Sequence, residues 1–353
     1  MPPWSLGYSR PVLVGPRKAR PVRLSLIALA SAAVVSLSAC QGATNSSPSA
    51  GPTSVVASPS GSAKPSSAKP SVPVSKDLDA LTVTGVANKS AKVAFKAPWA
   101  IDKTQTRVIG AGSGVTVAKD STVEINYVGI NGRTGKEFDS SFARKQTATF
   151  SLAQVVPGFQ KGLAGQKVGS RVLIAMPGAD GYDSMGGNAQ IDIQVGDSLI
   201  FVVDIIAASY PLATGSPVTP KAGLPTVTLK NGVPDISIPA GAKPPTSLQI
   251  QPLIKGPGRA VLATDTVTLK YQGRSWKTGK VIEQSYQSAE TAALAGLIPG
   301  FVKGLTNQTV GSRVLLVIPP ADAYPEGNKS SPQVEKGDTI VYVVDILFAQ
   351  KTA

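Results

Sequence analysis

The sequence predicts an α+β protein built from two tandem copies of one domain, each an antiparallel sheet wrapped around one short helix. Three observations carry this. The chain repeats itself at a nearly constant offset: Tyr127 and Tyr271 are 144 residues apart, Phe159 and Phe301 are 142, Tyr182 and Tyr324 are 142, and Asp204 and Asp345 are 141. So small a drift indicates duplication. Most repeated segments are short runs rich in Val, Ile and Thr, bounded by Gly, Asp or Pro, which is the pattern of strands and turns. Each copy carries one clear helix start, at Val155-Val156-Pro157-Gly158-Phe159 and at Leu297-Ile298-Pro299-Gly300-Phe301.

In chain order, residues 1–39 read as a secretory leader. Arg17, Lys18, Arg20 and Arg23 precede the apolar run 24–35, which is too short to span a membrane as a mature helix. The run ends in Leu37-Ser38-Ala39-Cys40, which looks like a bacterial lipobox with Cys40 as the lipidated residue. The positive stretch is long, so translation is expected to start downstream of Met1. Residues 40–76 are Ser, Pro, Ala, Gly and Thr with scattered Lys; they lack the apolar periodicity that offsets ordering entropy and read as a disordered tether. The expected location is therefore extracytoplasmic, anchored to the cell membrane.

The first domain is expected over 77–209 and the divergent second over 225–353, with a Pro-, Ala- and Gly-rich linker at 210–224. Each opens with a strand-like prefix: 82–84 and 92–95 in the first, 226–228 and 235–238 in the second. Thr122 to Tyr127 and Arg171 to Met176 alternate or run apolar at strand length. Leu199 to Ile206 is nearly continuously apolar, as expected of a central buried strand. Proline is favoured in the first turn of a helix, where its missing N–H is not needed. Pro157 and Pro299 therefore start the helices, and each entry gathers two aliphatic residues and one ring into a small apolar floor. Such a floor suits an apolar guest such as a prolyl ring.

Composition excludes much chemistry. There is no histidine, which removes imidazole acid–base catalysis and His-ligated metal. Cys40 is the sole cysteine, so intrachain disulfides and Cys-rich zinc sites are out. No cofactor or metal is expected. The net charge of +14 comes from the leader, the tether and the second half, while residues 101–209 are balanced. A nucleic-acid binder would show a clustered basic face, so nucleic acid is not an expected partner.

Several motifs stand in fixed order: Asn126-Tyr127-Val128-Gly129, Lys136-Glu137-Phe138-Asp139-Ser140-Ser141, Val155-Val156-Pro157-Gly158-Phe159, Val168-Gly169-Ser170-Arg171, Gly181-Tyr182 and Leu199-Ile200-Phe201. In these the chain resembles the FKBP family of peptidyl-prolyl cis-trans isomerases. The resemblance implies a half-barrel sheet curled over the helix with an apolar pocket between them. It implies isomerisation of Xaa-Pro bonds, with proline-containing segments of secreted proteins as partners and macrolides as inhibitors. By position, Tyr127, Phe138, Asp139, Tyr182 and Phe201 would be catalytic. Val155, Val156, Phe159, Arg144 and Ile193 would bind substrate, with Ile193 at the rim.

Departures set further expectations. Asp180 and Ala148 stand near positions where the family carries aromatics, so the first pocket is expected to be shallower on one side. The second repeat keeps Tyr271, Leu297, Ile298, Phe301 and Tyr324, but has Ile282-Glu283 for Phe138-Asp139, Tyr342 for Phe201 and no counterpart of Arg144. It is expected to fold alike and isomerise weakly. The competing reading is a non-catalytic chaperone or peptide-binding lipoprotein on the same scaffold.

Overall fold

Two six-to-seven-stranded antiparallel sheets, one per repeat, dominate the computed structural model, which describes residues 72–351. The leader, Cys40 and most of the tether lie outside the described residues. In the first repeat the order is Gln105–Gly110, Arg171–Met176, Leu199–Ala208, Thr122–Asn131, Glu137–Ser140, and Ala148–Ser151 pairs with the other end of Thr122–Asn131. The second repeat follows the same plan: Gln249–Lys255, Arg313–Ile318, Ile340–Lys351, Asp265–Ser275, Val281–Gln284, with Glu290–Ala293 on Asp265–Ser275. Leu199–Ala208 is central, as its apolar run predicts.

That run is apolar at every position but Asp204 because both faces of the sheet are covered. Val123, Ile125, Tyr127, Ile174, Phe201 and Val203 face the helix Pro157–Leu163. The alternate residues Val128, Ile130, Leu173, Ala175, Ile200 and Val202 face away, under Leu78, Leu81, Trp99 and Ile101 of the prefix. The prefix is thus a lid on the back of the sheet. In the second repeat Ile236, with Val227 and Ile238 against it, covers Leu315, Val317, Val341 and Val343 in the same way.

The helix sits close because Gly158 and Gly162 face the sheet. A Cβ on Gly162 would stand 2.7 Å from Ile174, and one on Gly158 would collide with Met176. Gly300 and Gly304 repeat this against Ile318 and Leu316.

Two expectations need correction, and the linker gains a structure. Val74–Ser75, read as tether, pairs in parallel with Ala100–Ile101, so the ordered chain begins earlier than residue 77. The linker does not run free: Ser216–Pro217 pairs with the edge strand Gln249–Lys255, and the Thr214 N–H donates to the Gly311 carbonyl at 2.8 Å. Backbone groups with ladder partners within reach are satisfied there rather than by water. The Pro157 helix is also joined in its repeat by a four-residue helix, Ser141–Arg144, capped by the Ser140 hydroxyl.

The first lid is fastened by a buried ion pair, and the matching pair of the second repeat holds the linker. Arg171 donates from Nε and Nη2 to the two oxygens of Asp204, at 2.7 and 2.6 Å. Its remaining donors reach the carbonyls of Gly85 and Lys89, and the Asn88 N–H donates to Asp204. In the second repeat Arg313 pairs with Asp345 in the same bidentate way, and the linker N–H of Ala213 donates to Asp345. Removing one partner leaves an uncompensated buried charge. Arg171→Ala should therefore lower stability by about 3–5 kcal/mol, read as a shift in urea midpoint without loss of the second repeat's transition. A change under about 1 kcal/mol, the range of a surface pair, would contradict the fastening role.

Candidate active site

In the first repeat a cavity of about 410 Å³, open to solvent, lies between helix and sheet. Tyr127, Asp139, Phe150, Val155, Val156, Phe159, Tyr182 and Phe201 line it. Its floor is Phe159, delivered by the first turn of the helix. This ring meets Phe201 edge-on at 4.6 Å between centroids, Phe150 at 5.8 Å and Tyr127 at 6.4 Å. T-shaped contacts of this kind fix ring orientation beyond what area burial alone supplies. Phe138 stands behind, perpendicular to Phe201 at 5.5 Å, and supports the wall rather than lining the cavity. Gly129 makes room for both rings: a Cβ there would lie 2.7 Å from Phe138 and 2.8 Å from Phe201.

One polar cluster borders this floor. The Tyr127 hydroxyl donates to Asp139, and Arg144 pairs with the other oxygen of Asp139. Arg144 Nη2 also reaches the Tyr127 hydroxyl at 3.0 Å. Burial, together with the bond to Asp139, pushes the Tyr127 hydroxyl well above its ordinary range. The Ser141 hydroxyl, on the turn after Asp139, accepts the Tyr127 N–H at 2.8 Å and so ties the acidic turn to the strand bearing Tyr127. Tyr182 enters from the loop after Arg171–Met176. Burial, and then the charge of Asp139, raise its hydroxyl above the usual tyrosine value, so it is a donor at neutral pH.

The sequence-derived set is therefore largely gathered here, with two qualifications. Ile193 is buried in the core (3 % exposed) and is absent from the cavity wall, so it is not a rim residue. Phe150 was missed. Its strand pairs with Thr122–Asn131, and the alternation of that strand turns Phe150 into the pocket two residues after Ala148. The side expected to be shallow thus has a ring. Asp180 instead pairs with Lys161 of the helix at 2.7 Å.

The second repeat holds a cavity of similar size, about 380 Å³, lined by Leu269, Tyr271, Glu283, Glu290, Ala292, Leu297, Ile298 and Phe301. Tyr271, Phe301 and Tyr342 repeat the edge-on ring cluster, with Phe301 and Tyr342 4.8 Å apart. Ile282 and Tyr324 pack against this core without lining the cavity. The electrostatics differ. The fully buried Tyr342 hydroxyl donates to Glu283, and Tyr271 donates to Glu290 at 2.7 Å. Glu290 and Ala292 occupy the ladder positions of Ala148 and Phe150. Burial, with the charge of Glu290 adding to it, raises the Glu283 carboxyl to about 7. Tyr324 is pushed up to about 12 by burial and by Glu283.

Each repeat is thus an antiparallel sheet closed by one glycine-faced helix, with a ring-lined pocket between them. The sequence profile of the FKBP-type peptidyl-prolyl cis-trans isomerases matches residues 114–206 and 258–347, and the chain belongs to that family, with two FKBP domains. It is 37% identical over 97 residues to a probable FK506-binding protein of Corynebacterium glutamicum, covering 28% of this chain and 80% of the relative. It is 36% identical over 104 residues to the FKBP-type isomerase FkpA of Escherichia coli K12, covering 29% of this chain and 37% of that one. The crystal structure of Escherichia coli FkpA matches with 30% identity and a TM-score of 0.28, over 30% of this chain and 47% of that one. The three FKBP domains of wheat FKBP73 match with 17% identity and a TM-score of 0.31, over 71% of this chain and 96% of that one. The enzyme class is accordingly peptidyl-prolyl cis-trans isomerase.

The Glu283 carboxyl gives a pH prediction. Its folded value, about 7, lies above its ordinary 4.5, so the folded state holds this proton more tightly. The corresponding stability is present below about 4.5 and is lost as pH rises through about 7. The urea midpoint of the second repeat should fall across that window, and Glu283→Gln should flatten the fall. An unchanged slope in the variant would contradict the assignment.

Proposed function

We propose that the first repeat is the catalytic unit, and that it works by desolvating the prolyl amide and stabilising its twisted form. The observation that carries this is the ring-walled floor of Phe159, Phe201, Phe150 and Tyr127, with an uncommitted tyrosine hydroxyl above it. Rotation about the amide meets a barrier of roughly 18–20 kcal/mol, set by C–N double-bond character. The twisted amide has lost that resonance and carries less charge on its oxygen. A dry apolar site therefore favours it over the hydrated planar amide.

Tyr182 is assigned as donor to a peptide carbonyl. Its hydroxyl has no hydrogen-bond partner among the described residues and remains protonated at neutral pH. Val155 and Val156 flank the guest and offer backbone groups. Asp139 is held by Tyr127 and Arg144, so it orients the pocket's polar edge without bringing an unbalanced charge to the floor. Phe138 acts through Phe201 by holding that ring.

The clients proposed are secreted or surface proteins, reached from a lipid anchor at Cys40 through the tether. Leu37-Ser38-Ala39-Cys40 after the apolar run supports this. Uncatalysed isomerisation takes tens of seconds, slow enough to limit folding after export. The family binds proline-containing peptides and macrolides generally, and pocket one is assigned to both. The second repeat, with Ala292 for Phe150 and Ile282 for Phe138, is assigned a peptide-binding rather than a catalytic role.

The test is the isomerisation of short Xaa-Pro peptides by the chain and by a Tyr182→Phe, Asp139→Ala double variant. Losing a hydrogen bond worth about 1.4 kcal/mol in the transition state alone lowers the rate tenfold. The double variant should lose at least that much kcat/KM while keeping its fold. Full activity in the variant would overturn the assignment.

A further inference from the structure

The two pockets differ in charge and in the residues of one wall. In the first, Asp139 is matched by Arg144, and Phe150 fills one wall. In the second, the connection between Glu283 and Glu290 is shorter, the small helix bearing Arg144 has no counterpart, and Ala292 replaces the Phe150 ring. The lining holds two carboxylates, Glu283 and Glu290, and no lysine or arginine. Neither forms an ion pair among the described residues; each accepts one tyrosine hydroxyl, from Tyr342 and Tyr271.

Glu283 is half-buried, and an unpaired carboxylate taken partly out of water is unfavourable, with a hydroxyl donor offsetting only part of that; Glu290 stands beside it, exposed at the pocket's edge. A cation entering beside the two groups would supply what Arg144 supplies in the first pocket. Tyr271 and Phe301 add ring surfaces that attract a cation. Ala292 stands where the first pocket has Phe150, in the same wall as Glu290, so this wall of the second pocket carries a carboxylate in place of a ring.

We propose that the second pocket selects proline-containing segments in which the residue next to proline is lysine or arginine, its charge placed between Glu283 and Glu290. The inference rests on the reading of the second repeat as a peptide-binding site. The raised ionisation of Glu283, caused by burial and by Glu290, agrees with a pocket that lacks its counter-charge. The two repeats then divide the work: one turns over prolyl bonds broadly, while the other holds basic, proline-containing stretches.

The test titrates the full chain with an N-acetylated, C-amidated peptide containing Lys-Pro and with its norleucine-Pro counterpart, at about pH 8, above the Glu283 ionisation. Methyl NMR signals of Ile298 report the second pocket and those of Val156 the first. At Ile298 the lysine peptide should bind at least tenfold more tightly than the norleucine peptide. In a Glu283→Gln, Glu290→Gln variant the ratio should fall to about one; Glu290→Gln alone should lower it if the double variant misfolds. Equal affinities at Ile298 in the parent chain would overturn the charge selection and leave the peptide-binding reading standing. A response at Val156 with none at Ile298 would overturn both. A preference that survives in the folded double variant would overturn the assignment to these carboxylates.

Discussion

Everything at the first pocket depends on how closely the helix Pro157–Leu163 lies on the sheet. Gly158 and Gly162 present no side chains to Met176 and Ile174, so the helix axis drops onto the strand Arg171–Met176. Only then does Phe159 reach Phe201, Phe150 and Tyr127 edge-on, and only then do Val155 and Val156 form the rim of one small cavity. A methyl group at either glycine would push the floor away from its walls. The same constraint is met again by Gly300 and Gly304, which is why the second repeat retains a pocket although its polar residues have changed.

The sheet can serve as a rigid wall because its back is covered as well. Segments that lead into each repeat lie over the outward faces; Arg171–Asp204 ties the first of them, and Arg313–Asp345 holds the linker at Ala213. The first pair also takes up two carbonyls and an N–H of the covering chain. It couples that prefix to the central strand whose opposite face carries Phe201. Stability built outside the pocket thus supports ring geometry inside it.

The duplication, the α+β class, the central strand and the helix starts were legible in the sequence because they rest on local signals: a period-two pattern, Pro at a helix start, a repeated landmark order. Most of the pocket was legible through the ordered family motifs. What stayed hidden depends on pairing between distant segments. Phe150 becomes a wall only through its register with Val123, and Glu290 faces Tyr271 only through its register with Leu269. Ile193 looked like a rim residue, yet the short turn that pairs it with Asn188 draws it into the core. The covering role of the prefixes was likewise invisible, since short Val- and Thr-rich strands do not state which face they will cover.

The most direct test of where catalysis lies compares two chains that differ in which floor is removed: Phe159→Ala and Phe301→Ala, assayed on the same Xaa-Pro peptides. Each loses a buried ring of its own repeat, at a cost to stability of about 3–5 kcal/mol, so both are compared under conditions where thermal melts show both repeats folded. The account predicts that Phe159→Ala loses most of the activity and Phe301→Ala retains most of it. Equal losses, or the reverse order, would contradict a catalytic centre in the first pocket.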